Sequence, residues 1–260
     1  MTAEHLTGVA SGNLHRTYFA LGKATPGSRF TKEIGFDACL GNFDHPICNF
    51  ASGIKLDPWV AHRLAELAYS RGAFNVYSLP GDTPEDAGLR EELLMRAGFR
   101  KSYSLRQMVA EPGPTAEGVP LTKAASPPER QEIATFMAAQ FFGRHSANFR
   151  RRVSDATQSA TELDLYSVRP REELIAAVMV VEDPEIVGLY NLCVKAHAQG
   201  RGWGKSIVSE VMRGAFATGK PVTLQCDELL SPWYEGLGFR RIGSVDVYAL
   251  PDERRIAIMN

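Results

Sequence analysis

Three glycines at alternate positions, Gly200, Gly202 and Gly204, separate an apolar segment from an amphipathic one. Without Cβ atoms in the way, backbone N–H groups can converge there. The first N–H groups of a following helix lack partners and carry partial positive charge, and Arg201 and Lys205 add cations nearby. The pattern predicts an anion site best suited to phosphate, although a glycine cluster is as typical of an ordinary strand–helix turn.

Two nucleotide-binding loops fit this turn poorly. Gly204-Lys205-Ser206 matches the end of a Walker A loop, and the strand before Asp227 resembles one that carries a magnesium-binding Asp. However, position 199 is Gln, and the nearest glycine, Gly200, comes one residue late. The dinucleotide pattern Gly-x-Gly-x-x-Gly is also absent, because the glycines have the wrong phase.

A third pattern fits better. Residues 199–204, Gln-Gly-Arg-Gly-Trp-Gly, satisfy Gln/Arg-x-x-Gly-x-Gly/Ala, and Val194 lies five residues before Gln199. About 35 residues later, 234–239 read Tyr-Glu-Gly-Leu-Gly-Phe. In this order and spacing the two segments resemble the pyrophosphate loop and the Tyr-x-x-x-Gly-Phe segment of the GNAT superfamily of acyl-CoA-dependent N-acyltransferases. The resemblance covers 186–250 well and 119–185 by element order only.

The resemblance implies acetyl-CoA as co-substrate and no metal. Backbone N–H groups of the loop would hold the coenzyme pyrophosphate, and the preceding strand would offer backbone groups to the pantetheine arm. Asp227 stands seven residues before the tyrosine, where the family often has Asn. The implied coenzyme-binding residues are Leu192, Cys193, Val194, Gln199, Gly200, Arg201, Gly202, Trp203, Gly204, Lys205 and Asp227.

Tyr234 is the implied catalytic residue, the acid that protonates the departing thiolate. Without the loop upstream, we would interpret it as a core aromatic of a short helix. The sequence singles out no base for the amine, and Cys193 is interpreted as a small buried hydrophobe. Residues that qualify as a base by type or position only are His145, Asp183, Glu185, Tyr190, Asn191 and His197.

The segments around the loop predict the order of an α+β domain. Ser126 can cap the first helix, whose apolar face carries Ile133, Phe136, Met137 and Phe141, and Gly219 can end the helix after the loop. The predicted helices are 127–142, 146–158, 203–217 and 231–237. The predicted strands are 163–168, 174–181, 186–194, 221–226 and 239–250.

The first half repeats the last part of this order. Strands are predicted at 47–56, 74–79 and 99–109 and helices from Asp57-Pro58 to Gly72 and at 86–97. Residues 93–100 and 233–240 both run from a short helix through Gly-Phe-Arg into a strand, which favours a structural duplication.

The glycine loop has no equivalent in the first half. Asp57 places a carboxylate where a phosphate would lie, Pro58 removes a donor, and Leu94 stands in place of Tyr234. We therefore expect two GNAT-like domains, each a mixed, largely antiparallel sheet flanked by helices. The first, 1–112, is a degenerate domain without acyl-CoA, 113–118 is a linker, and 119–260 is the acyltransferase domain.

Composition limits the class of protein. With 260 residues, 44% hydrophobic and 23% charged, the chain is long enough for two globular domains. A net charge of −1 argues against a nucleic-acid partner, and no apolar run has the length of a membrane span. Four scattered cysteines indicate neither a zinc site nor a disulfide framework. A cytoplasmic location is expected, and no secretory signal.

The sequence therefore predicts an N-acetyltransferase that moves an acetyl group directly from acetyl-CoA to a primary amine of a small molecule or peptide. Two alternatives stay open at this point. One is a non-catalytic module that binds or senses acyl-CoA, and the other is a nucleotide-binding protein that uses Gly204-Lys205-Ser206. Neither the acceptor nor the oligomeric state can be predicted from these patterns.

Overall fold

The computed structural model describes residues 2–43, 45, 48–55, 57–71, 73–80 and 84–251. Helices are α1 Ala3–Ala24, α2 Pro58–Tyr69, α3 Pro84–Arg96, α4 Pro127–Phe141, α5 Ala147–Ser159, α6 Trp203–Ala217 and α7 Ser231–Glu235. Strands are β1 Arg29–Glu33, β2 Phe36–Leu40, β3 Asn49–Ser52, β4 Asn75–Ser78, β5 Arg100–Ala110, β6 Thr122–Lys123, β7 Asp164–Val168, β8 Ala176–Glu182, β9 Val187–Val194, β10 Val222–Cys226 and β11 Arg240–Ala249. Among the described helices, none combines the length and apolar composition that a bilayer crossing needs.

Two compact units share the chain, and they are interleaved in sequence. Among the described residues, the N-terminal unit contains those of 2–23, 27–106 and 243–251. The C-terminal unit contains Ala24–Pro26 and Gln107–Ile242. Both β5 and β11 therefore contribute residues to each unit, and the predicted division at 113–118 stays a prediction.

The C-terminal unit has the strand order β5-β10-β9-β8-β7-β6. Its strands pair antiparallel from β6 through β9, whereas β9 and β10 are parallel. The apolar face predicted for α6 is buried in the core of this unit, where Ile207 and Val208 are inaccessible to solvent. Met108 and Ala110 of β5 belong to the same core.

The N-terminal unit has a smaller sheet of the same kind. β1, β2 and β3 pair antiparallel, β3 and β4 are parallel, and β4 pairs antiparallel with β11. The predicted apolar face of α2 is buried, with Val60, Leu64 and Leu67 in the core. Tyr248 and Leu250, from the last part of the chain, complete that core.

In the part of the chain that the structure describes, side-chain caps begin three of the six predicted helices, and the sequence predicts two of these caps, Asp57 and Ser126. Ser126 and Glu129 form a capping box at the start of α4, and Ser146 caps α5. At the far end of α5, the Arg130 guanidinium donates to the carbonyl oxygens of Gln158, Ala160 and Leu163. That arrangement fixes the two helices to each other.

The predicted duplication is confirmed in the backbone. After α3, Phe99 N–H donates to Leu94 O at 3.0 Å, and after α7, Phe239 N–H donates to Tyr234 O at 3.1 Å. Gly98 and Gly238 take the same left-handed conformation, with φ of 98° and 92°. Leu94 and Tyr234 thus occupy equivalent positions in the two units.

Differences from the sequence prediction are few. The element bounds shift by at most two residues wherever both ends are described, and the predicted termini at 47, 56 and Gly72 lie outside the described residues. The sequence reading left α1, β1, β2 and β6 unassigned. Phe141, predicted on the buried face of α4, is 47% exposed.

The interleaved strands make a testable prediction about fragments. A fragment of residues 107–242 keeps Met108 and Ala110, whereas a fragment of residues 119–260 loses both side chains and the hydrogen bond from Thr223 Oγ1 to Met108 O. We expect the second fragment to be less stable by about 3 kcal/mol or more, the scale of removing a large buried side chain. Urea titrations followed by circular dichroism measure the difference, and equal free energies of unfolding would contradict this assignment of β5.

Candidate active site

Two parallel strands separate at the centre of the C-terminal unit. β9 and β10 pair only at their beginnings, Val222 with Val187 and Thr223 with Gly188. Leu192, Cys193 and Val194, at the end of β9, have no paired residue in β10. The separation leaves a cleft in the sheet, with backbone groups of β9 along one side.

A bulge in β9 lies beside this cleft. Ala177 pairs with Cys193 and Met179 with Tyr190. Between these two pairs β9 therefore has one residue more than β8, which defines a β-bulge. Asn191 takes up the extra length at φ 49°, a left-handed conformation that Asn tolerates better than most residues. The bulge changes the direction of the β9 backbone where the strands diverge.

The N-terminus of α6 has no side-chain cap. Its N-cap residue is Gly202, at φ 84° and ψ −5°, and the backbone bond from Ser206 N–H to Gly202 O is 3.0 Å long. The N–H groups of residues 203–205 precede that bond, so the helix itself provides them with no acceptor. This is the predicted anion site, and the exposed side chains of Arg201 and Lys205 add positive charge there.

Gln199 connects the loop to the strand. Its Nε2 donates to Val194 O at 2.9 Å, across the 3-10 turn Ala196–Ala198. The side chain predicted to bind the coenzyme thus holds the loop against the end of β9.

A cleft of about 760 Å³ joins these features. Its walls are the end of β9, the start of α6, α7 and the end of α4. Ten of the twelve predicted site residues line it: Leu192, Cys193, Val194, Gln199, Gly200, Gly202, Trp203, Gly204, Lys205 and Tyr234.

Tyr234 contributes a buried phenol to the wall. It is 8% exposed, and its ring lies edge-on to Trp233 and Phe239. Burial, followed by the nearby Cys226 and Asp227, raises the pKa of Tyr234 to about 12. The phenol is therefore protonated at neutral pH and can donate a hydrogen bond.

Two predicted site residues, Arg201 and Asp227, do not line the cleft. Arg201 is exposed on the loop. Asp227 accepts from Leu230 N–H through Oδ1 at 3.2 Å, which fixes the turn before α7. Asp227 therefore positions Tyr234 and influences its pKa rather than facing the cleft.

Two further groups considered from the sequence, His197 and Cys193, have ordinary structural settings. His197 is 56% exposed in its side chain and lies 3.6 Å from Glu173, which also pairs with Lys195 at 2.8 Å. Burial raises the pKa of the Cys193 thiol to about 12, so no thiolate is present at neutral pH. Within the described residues, no three His, Cys, Asp or Glu side chains come together as a metal site.

Several lining residues escaped the sequence analysis. Gln140 and Phe141 come from the end of α4, and Leu230 and Trp233 flank Tyr234 on α7. Phe141, Leu230 and Trp233 are each 40–48% exposed, which is unusual for such apolar side chains. These side chains are identified as part of the wall by the cleft that they line, whereas the sequence predicted Phe141 on the buried face of α4.

The equivalent strand–helix junction of the N-terminal unit is closed to anions. Asp57 caps α2 by accepting from Trp59 N–H at 2.7 Å, and Pro58 follows it. The carboxylate thus occupies the place that the uncapped α6 leaves open.

Comparison with solved structures identifies the fold. A GCN5-related N-acetyltransferase from Kribbella flavida superposes with a TM-score of 0.64 at 17% identity, covering 94% of this chain and 95% of that one. A tandem GNAT protein from the clavulanic acid biosynthesis pathway gives 0.57 at 14%, covering 86% and 83%. A GNAT-family acetyltransferase from Colwellia psychrerythraea gives 0.51 at 15%, covering 86% and 85%. No family model and no curated protein sequence matches the chain. The fold is that of GNAT acetyltransferases, tandem members included, and the resemblance in the sequence is confirmed at this level.

The loop glycines differ in what their backbone requires, which predicts unequal effects of substitution. Gly202 is left-handed, whereas Gly204 lies in α6 and a Cβ there would be 3.6 Å from the Trp233 ring, an ordinary contact. We expect Gly202→Ala to cost about 1–2 kcal/mol and Gly204→Ala to be neutral or stabilising. Urea unfolding compares both variants with Gly214→Ala, a control in the same helix; equal losses at 202 and 204 would contradict the loop conformation.

Proposed function

We propose that the protein is an N-acetyltransferase that moves an acetyl group from acetyl-CoA to a primary amine of a small molecule or peptide. The observation that carries the proposal is the single cleft that joins an uncapped helix N-terminus, a separated strand end and a buried tyrosine. Its reacting groups all belong to the C-terminal unit. We also propose a cytoplasmic location.

The start of α6 supports a diphosphate at one end of the cleft. The N–H groups of residues 203–205 provide donors, and the helix N-terminus, Arg201 and Lys205 provide positive charge. Because Gln199 keeps this loop next to β9, one extended ligand can place its diphosphate at the α6 N-terminus and the rest of its chain along the strand.

The separated part of β9 supports the pantetheine arm. A chain with amide groups can pair with the free side of a strand as an added strand does. Leu192, Cys193 and Val194 line the cleft on that free side. The Asn191 bulge turns the backbone there, and a backbone N–H aimed at the thioester carbonyl would stabilise the oxyanion formed as the amine attacks.

Tyr234 supports departure of the sulfur. Its pKa of about 12 lies above the ordinary thiol value of about 8.5, so complete transfer of the phenol proton to a free thiolate is uphill. A hydrogen bond from the protonated phenol still stabilises the negative charge on the sulfur as the C–S bond breaks. We therefore propose that Tyr234 acts mainly as a hydrogen-bond donor to the departing sulfur and only secondarily as the source of its proton.

Direct transfer is favoured over a covalent intermediate. The only cysteine in the described cleft lining is Cys193, a buried thiol whose Sγ lies 3.8 Å from Ala177 O. Its raised pKa opposes nucleophilic attack. The amine is expected to attack the thioester within a ternary complex, after losing its proton to solvent.

Calorimetry with acetyl-CoA and with Mg-ATP tests the ligand class. We expect acetyl-CoA to bind and Mg-ATP not to bind, and Gly202→Asp to abolish binding because its carboxylate repels the diphosphate at the α6 N-terminus. Gly8→Asp, a change in α1 at a glycine with open space around its Cβ, serves as the control. Binding of Mg-ATP in place of acetyl-CoA would establish the nucleotide-binding alternative.

Tyr234→Phe separates an enzyme from a non-catalytic acyl-CoA module. The variant removes one hydroxyl, so we expect acetyl-CoA affinity to change little and kcat to fall about 10²-fold or more. A screen of amine acceptors that detects free thiol gives the rate, and Tyr166→Phe is the matched control. Unchanged kcat in Tyr234→Phe would exclude the acid role.

A further inference from the structure

The N-terminal unit has a cavity of its own at the corresponding place in the repeat. β3 and β4 are parallel and pair only as Phe50 with Asn75 and Ala51 with Val76, as β9 and β10 do in the other unit. Beyond these pairs a cavity of about 390 Å³ opens against Gly53, Leu79 and Pro80. The separation of the parallel strands is thus kept in both units, although the phosphate loop is kept in only one.

Asp57 changes what such a cavity can hold. It caps α2 through Trp59 N–H, so the helix N-terminus that would face a diphosphate is already satisfied by a carboxylate. The ligand of this cavity must be recognised by other groups.

Arg90 is the first of these groups. It lies four residues before Leu94, as Leu230 lies four residues before Tyr234, and each lines the cavity of its own unit. Arg90 is 6% exposed and donates from Nη1 to Ser78 Oγ at 2.9 Å and to Leu79 O at 3.3 Å. A guanidinium remains charged at any physiological pH, so an apolar position of one cleft is a fixed positive charge in the other.

His15 is the second group. Its Nε2 lies 3.4 Å from Asp37 and its Nδ1 lies 3.3 Å from Ser52 Oγ. Burial is the largest influence on this imidazole and lowers its pKa, against the opposing effect of Asp37. The His15 ring is therefore held in one orientation as an uncharged side chain in the cavity lining. The Asp37 carboxylate lies beside its Nε2.

We propose that this cavity binds a small monocarboxylate, with its carboxylate on Arg90 and its body against His15 and Pro80. A carboxylate matches the planar fork of a guanidinium. Arg90 is the only charged side chain in the described lining of the cavity, and Asp37 lies behind His15, so the site suits a monoanion better than a phosphate dianion. Gly12 and Gly53 leave the opening clear, since neither places a side chain there.

Titrations of the full chain test the site, with the His15 ring C–H signals as the NMR readout. Propionate is the probe, propionamide its neutral analogue of the same shape, and inorganic phosphate the dianion. We expect saturable shifts with propionate, at least about 10-fold weaker binding of propionamide and phosphate, and no shift of the exposed His62 ring. Tighter binding of phosphate than of propionate, or no saturable shift, would overturn the proposal.

Two variants assign the effect to the cavity. Arg90→Leu, which copies the residue at position 230, should weaken propionate binding at least about 10-fold. Gly12→Leu fills the opening from a helix position with no atoms within 4 Å of a new Cβ, so it keeps the fold and should abolish the shifts. Gly8→Leu, in the same helix and away from the cavity, should bind as the unchanged protein does. Propionate binding that survives Gly12→Leu would place the ligand elsewhere.

Discussion

The rest of the candidate site depends on a helix that begins without a cap. Three other helices, α2, α4 and α5, start with Asp57, Ser126 and Ser146, whose side chains accept hydrogen bonds from N–H groups of the first turn. α6 starts with Gly202 and leaves those donors facing the cleft. Because β9 and β10 separate beside it, a ligand can reach the donors and the strand together. The proposed chemistry follows from that adjacency.

The two units keep one frame and line its opening with different groups. Both keep a pair of parallel strands that separate after two residue pairs, and both keep the turn at Gly98 or Gly238. They differ in the groups that line the opening. An uncapped helix, Leu230 and Tyr234 face one cleft, whereas a capped helix, Arg90 and Leu94 occupy the equivalent positions in the other unit. The units thus share the parallel strand pair and the glycine turn, and they differ in the strand–helix loop and in the side chains at the opening.

How much could be predicted from the sequence depends on the range of the interactions. Local rules were sufficient for the caps at Asp57 and Ser126, the helix end at Gly219 and the main helices and strands between 126 and 250, because each depends on neighbours along the chain. Ten cleft residues were implied by the resemblance of the glycine loop and the Tyr-x-x-x-Gly-Phe segment to the GNAT family, because those residues lie on one strand–loop–helix segment and one short helix. Phe141 and Gln140 escaped because long-range packing brings α4 to the cleft. The contacts of His15 with Asp37 and Ser52 escaped for the same reason, as did the division of β5 and β11 between the units.

The most direct measurement is a crystal structure of the protein with acetyl-CoA. The account predicts the diphosphate within hydrogen-bonding distance of the N–H groups of residues 203–205, with the thioester between the β9 bulge and the Tyr234 hydroxyl. Density for the donor at any other place, or a diphosphate bound without contact to the α6 N-terminus, would contradict it. The same result would remove the physical basis for assigning acyl transfer to this cleft.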